Sequence, residues 1–79
     1  MGWMSNAQNI AESQSAGKCP NCGSGDTDFR YFIVDEQHGT GCCDIWCRTC
    51  LHGYHVPYAK VRNRSKVGEL PKKIVFDKE

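Results

Sequence analysis

Four of this chain's six cysteines fall in two matched pairs, Cys19-Pro20-Asn21-Cys22 and Cys47-Arg48-Thr49-Cys50, with twenty-four residues between them. No other feature restricts the fold so tightly, because two such pairs in so short a chain must either work together or be explained separately. A domain of this size rarely gains more than about 3–5 kcal/mol from its core, so it needs disulfides, a metal or a partner. Hydrophobic residues make up 39% of the sequence even with the cysteines counted, which sharpens the shortage.

Whether the cysteines cross-link or bind metal depends on the compartment. The opening stretch, MGWMSNAQNIAESQSAGK, has no basic start and no apolar run of signal-peptide length, and no stretch approaches a membrane span. The expectation is a cytoplasmic protein whose thiols are reduced and available to metal. Two residues between cysteines let both thiolates reach one ion from a tight turn. Gly23 can take the positive φ that aims backbone amides at sulfur, and Gly53 is expected to serve the second pair likewise. A redox dithiol would start a helix in a βαβ unit, for which this chain has no room. The spacing therefore predicts one structural Zn2+ held by Cys19, Cys22, Cys47 and Cys50. Four thiolates close the tetrahedron and leave no position for a catalytic water, so no enzyme is expected.

Cys42 and Cys43 are adjacent in a predicted strand and point to opposite faces, so they cannot share that ion. Cys43 reads as a small buried apolar residue and Cys42 as a partly exposed thiol. His38, His52 and His55 are possible substitute ligands, with His52, next to the second pair, the second choice for the place of Cys50, and all three rank below the cysteines.

Three segments separate by composition. Residues 1–17 are polar and small, with Glu12 as the one charged side chain, and read as a flexible tail. Met4, Ala7, Ile10 and Ala11 lie at near-helical spacing, a thin stripe that a partner could fold into a helix. Residues 18–61 carry every cysteine and most of the aromatic residues. There Thr27 to Val34 reads as a strand, the polar run Asp35 to Gly41 as a loop, Cys42 to Cys47 as a second strand and Tyr54 to Val61 as a third. Pro57 lacks an amide donor, which places the third strand at an edge or puts a bulge there. Residues 62–79 read as a basic, largely irregular tail.

The hairpin can be put in register. Pairing Phe29 with Cys47, Tyr31 with Ile45 and Ile33 with Cys43 gathers an apolar face, and Arg30 then meets Trp46 while Phe32 meets Asp44. A one-residue slip would exchange the faces and is disfavoured. Charge is also divided along the chain. From Lys60 onward there are seven Lys/Arg against three Asp/Glu, and before it three against six. The whole is close to neutral, so any contact with nucleic acid rests on the tail.

These residues resemble the zinc-ribbon superfamily, with two zinc knuckles on loops and a three-stranded antiparallel sheet. The similarity covers residues 18–61. The stretch Trp46-Cys47-Arg48-Thr49-Cys50-Leu51-His52-Gly53-Tyr54-His55-Val56 is most similar to small bacterial ribbon proteins. A weaker similarity is to the ribbon of RNA polymerase transcript-cleavage factors, where an Asp-Glu pair at the hairpin tip helps hold a catalytic magnesium. Asp35-Glu36 falls at the predicted tip, but Phe32-Ile33-Val34-Asp35-Glu36-Gln37 departs from that family's Arg-Ser-Ala-Asp-Glu-Pro.

The sequence thus predicts a small metal-stabilised all-β domain, a monomeric zinc ribbon with flexible tails. Its expected role is non-enzymatic docking on a protein partner, and no membrane contact is expected. The second expectation is a transcription-associated ribbon that contacts polymerase or nucleic acid through the tail and hairpin tip. Arg30, Phe32, Trp46, Tyr58, Arg62, Arg64 and Lys66 are the candidate contact residues.

Overall fold

Alternation of apolar and polar residues from Thr27 onward decides which face of the sheet is buried. The computed structural model describes residues 3–69, 71 and 73–77. In it β1 spans Thr27–Asp35, β2 Thr40–Cys47 and β3 His52–Lys60. β2 lies between the other two and pairs antiparallel with both. Phe29, Tyr31, Cys43, Ile45 and Cys47 are buried on one face. Asp28, Arg30, Phe32, Cys42, Asp44 and Trp46 alternate onto the other. Burying a side chain such as Phe29 or Ile45 contributes about 1.5–3 kcal/mol.

The register differs from the expected one by two residues. Thr27 faces Cys47, Phe29 faces Ile45, Tyr31 faces Cys43 and Ile33 faces Gly41, with a bulge at Val34. A two-residue slip leaves every side chain on the same face, so the hydrophobic pattern cannot choose between the two registers. The backbone can: a Cβ at Gly41 would sit 1.9 Å from the Phe32 carbonyl oxygen, so only glycine fits where the strands close above the turn. Arg30 consequently faces Asp44 and reaches Trp46 diagonally, its guanidinium 5.7 Å from the ring centre. The edge-or-bulge expectation at Pro57 holds, since three steps on β3 match two on β2 between Cys43↔Val56 and Gly41↔Ala59.

The N-terminal segment corrects the flexible-tail expectation. Helix α1, Met4–Ser13, covers the apolar face, with Trp3, Ile10 and Ala16 buried in the same core as Phe29 and Tyr31. Buried Asn6 donates to the carbonyls of Ala16 and Lys18 at 2.6 and 2.7 Å, folding the chain after the helix back along it. The Gln14 side chain donates to the Ile10 carbonyl and to the Tyr31 hydroxyl. Two large apolar side chains and one well-placed amide outweigh a polar average.

The C-terminal segment carries three short regular pieces among its described residues. A 3-10 turn at Arg64–Lys66 leads to a bridge between Val67 and Tyr31 on the outer edge of β1. The chain then returns to the opposite edge, where β4 (Val75–Phe76) runs parallel to His52 and Gly53. The sheet is therefore four-stranded and mixed, in the order β1-β2-β3-β4, and not three-stranded and antiparallel. Two described residues of the segment, Gly68 and Ile74, touch the second face. Gly68 sits beside the Arg30 stem, and a Cβ on Gly53 would come within 2.9 Å of Ile74. Trp46, which pairs with Gly53 and has the Arg30 guanidinium over its ring, is only 3% exposed.

Candidate metal centre

Each cysteine pair sits on a turn closed by a backbone hydrogen bond. The Gly23 amide donates to the Cys19 carbonyl at 2.8 Å, and the Leu51 amide donates to the Cys47 carbonyl at 3.0 Å. Gly23 has φ +77°, as its position after Cys22 requires. The equivalent residue after Cys50 is Leu51, with φ +60°. Gly53 does not play that part. It lies in β3, where the close approach of Ile45 and Ile74 excludes a side chain.

Amides turn toward sulfur in both loops. Asn21 and Cys22 donate to Cys19 Sγ at 3.3 and 3.5 Å, and Thr49 donates to Cys47 Sγ at 3.4 Å. The observed register sets Cys47 opposite Thr27, at the start of β1, and so brings the second turn beside the first. The Arg48 amide donates to the Asp26 carbonyl, and Ser24 and Thr49 join their hydroxyls at 2.9 Å. The four Sγ atoms of Cys19, Cys22, Cys47 and Cys50 all lie within 4.8 Å of one another and can hold a metal ion. The Cys19–Cys50 and Cys22–Cys47 sulfurs are each 3.6 Å apart, far beyond a disulfide bond, and all six cysteines are free.

Without a cation these thiols divide their protons unequally. Burial pushes Cys50 up, but the Asn21 side-chain amide and the His52 backbone amide bring it down to about 7. Cys22 gains from the Ser24 amide, yet burial and the neighbouring thiols Cys47, Cys19 and Cys50 push it up to about 12. Four negative sulfurs so close repel one another, and a divalent cation removes that obstacle. The donor set therefore fits a metal that prefers soft ligands.

Asp28, which sequence reasoning did not single out, fixes this end of the molecule. Its buried carboxylate accepts from Arg48 at 2.7 Å, Lys66 at 2.9 Å, Arg30 at 3.2 Å and its neighbour's amide, Phe29 N, at 2.8 Å. Burial pushes this carboxyl up, but Lys66, the Phe29 amide and Arg30 outweigh it and hold it below the usual carboxylate range. Because Arg48 lies between Cys47 and Cys50, the hub anchors the second cysteine turn to β1 and to the C-terminal segment. The signal available in the sequence was an acidic residue in a strand otherwise rich in aromatic and β-branched side chains.

The other candidates divide. Among the described residues no histidine joins the cluster: His38, His52 and His55 pair with Asp35, Asp77 and Asp44. Cys43 is buried in the core, where burial and Asp44 push its thiol up to about 12, and Cys42 is half-buried on the other face. Phe32 and Tyr58 are 62% and 72% exposed, whereas Trp46 is buried, with the Arg30 guanidinium over its ring. Arg62 is exposed. Arg64 pairs with Glu36, and Lys66 both pairs with Asp28 and lies 5.0 Å from the Phe29 ring centre. At the hairpin tip, Asp35 accepts from the Gln37 and His38 amides and from the His38 ring, and Glu36 pairs with Arg64 of the C-terminal segment, so both tip carboxylates are engaged. No family model matches the chain, and no curated protein or solved structure matches it either.

Proposed function

We propose that this chain is a zinc ribbon, a non-enzymatic module built around one structural Zn2+ that docks on a protein partner. The observation that carries the metal assignment is the cluster of four sulfurs. With zinc–sulfur bonds of about 2.3 Å, the edges of a tetrahedron are roughly 3.8 Å. The two close sulfur pairs stand at 3.6 Å and all four lie within 4.8 Å, so small side-chain adjustments suffice. Thiolates select zinc over hard cations such as magnesium or calcium, and four of them leave no open position for chemistry. The ion then holds two turns together and supplies folding energy.

Protein docking is supported by the exposed apolar side chains Phe32, Val34 and Tyr58. The alternative of nucleic-acid binding through the tail is weakened, because Arg64 and Lys66 already neutralise Glu36 and Asp28. A transcript-cleavage role through Asp35 and Glu36 is weakened because Asp35 is paired with His38 and Glu36 with Arg64. The test has two arms. Affinity purification from native lysate should recover a partner with the wild-type chain and lose it with Phe32→Ser/Tyr58→Ser. Labelled single-stranded RNA and DNA should show no saturable binding at low salt. Nucleic-acid binding that weakens with salt by about 0.7 log units per phosphate contact per log of salt would overturn the docking role.

A further inference from the structure

Between α1 and β3 lies a half-open groove of about 510 Å³, within the size range of small-molecule sites. The helix contributes Met4, Ala7, Ile10 and Ala11, and the sheet contributes Tyr31, Cys43 and Val56 as well as Tyr58 and Ala59. Small side chains at positions 7, 11 and 59 give the groove its depth. Two large apolar groups at its rim, Met4 and Tyr58, are 61% and 72% exposed, a cost that an occupant would remove. Where β3 ends, Lys60 and Arg62 line the same groove, and neither makes an ion pair among the described residues. Arg30, Arg48, Arg64 and Lys66 are all paired.

We propose that this groove binds a linear alkyl carboxylate, its chain lying between α1 and β3 and its anionic head paired with Lys60 and Arg62. An apolar trough with two unneutralised cations at one place calls for an anionic amphiphile. The pattern does not suit an extended peptide added to the free edge of β3, because Pro57 removes a backbone donor there. The site is separate from the four clustered cysteines and shares no residue with them.

The full chain, as purified with its metal, should be titrated with sodium octanoate, decanoate and dodecanoate below their micelle concentrations, followed by amide and methyl NMR shifts. The expected result is saturable one-to-one binding whose shifts centre on Met4, Ala7, Ala11, Val56 and Tyr58. Affinity should rise with chain length, up to about fourfold per methylene. Lys60→Glu/Arg62→Glu should weaken decanoate at least tenfold. Both sites are exposed, so the fold should survive, as checked by metal content. Ala11→Trp should fill the groove and block binding. No localised saturable shifts, or equal binding of decanoate and decyltrimethylammonium, would overturn the proposal. So would sedimentation revealing a dimer that Ala11→Trp disperses, because a second copy would then occupy the groove.

Discussion

Single residues fix the geometry around the cysteines. A Cβ at Gly23 would meet no atom within 4 Å, so Gly23→Ala introduces backbone strain and nothing else. At φ +77° that strain should lower stability by about 1–2 kcal/mol, seen as a lower denaturation midpoint with metal still bound. Gly41→Ala should cost far more, because its Cβ would collide with the Phe32 carbonyl, and circular dichroism should reveal a disrupted sheet. Asp28→Asn removes the charge on which Arg30, Arg48 and Lys66 converge, and should cost about 1–3 kcal/mol at pH 7. The folded Asp28 carboxyl titrates below its unfolded value of about 3.9. Its contribution is therefore present above that value and is lost as pH falls through the folded one. In matched denaturation series, the advantage of wild type over Asp28→Asn should hold near neutrality and vanish with acidification through that window.

The elements outside the strands supply the layers a thin sheet lacks. Trp3, just before α1, is 2% exposed, and its indole donates to Asp77, just after β4, at 3.1 Å, so the two ends of the described chain meet at one side chain. Trp3→Ala should lower stability by about 3–5 kcal/mol, and a chain beginning at residue 18 should expose apolar surface and bind a hydrophobic dye. Unchanged melting of either variant would mean that α1 does not cover the core. Some of this arrangement was legible in the sequence. Strand positions, the faces of the hairpin and the role of Pro57 followed from alternation and backbone chemistry, and the paired cysteines marked the site. The two-residue register shift was not legible, because it preserves every face and depends on a carbonyl approaching Gly41. Nor was α1 legible as a packed element, since Trp3, Asn6 and Ile10 act through long-range partners while their neighbours read as linker. For the tail, counting charges could not reveal that Arg64 and Lys66 would find Glu36 and Asp28.

For the whole molecule, the helix, the sheet and the C-terminal segment come together near the end that carries the cysteines. The helix packs on one face, described residues of the C-terminal segment touch the other at Arg30 and Gly53, and the Asp28 hub links that segment to the turn between Cys47 and Cys50. Metal binding and folding should therefore be one event. Strong chelator should unfold the chain cooperatively, and acid should do the same as the thiolates take up protons. Cys42→Ser and Cys43→Ala should alter stability without altering metal content, since neither sulfur belongs to the cluster. The most direct measurement is native mass spectrometry, with elemental analysis, of protein purified without added metal. One zinc per chain is expected in wild type and in Cys42→Ser, and none in Cys19→Ser or Cys47→Ser, which should be unfolded. A folded chain free of metal, or zinc retained after Cys47→Ser and lost after Cys42→Ser, would contradict the assignment.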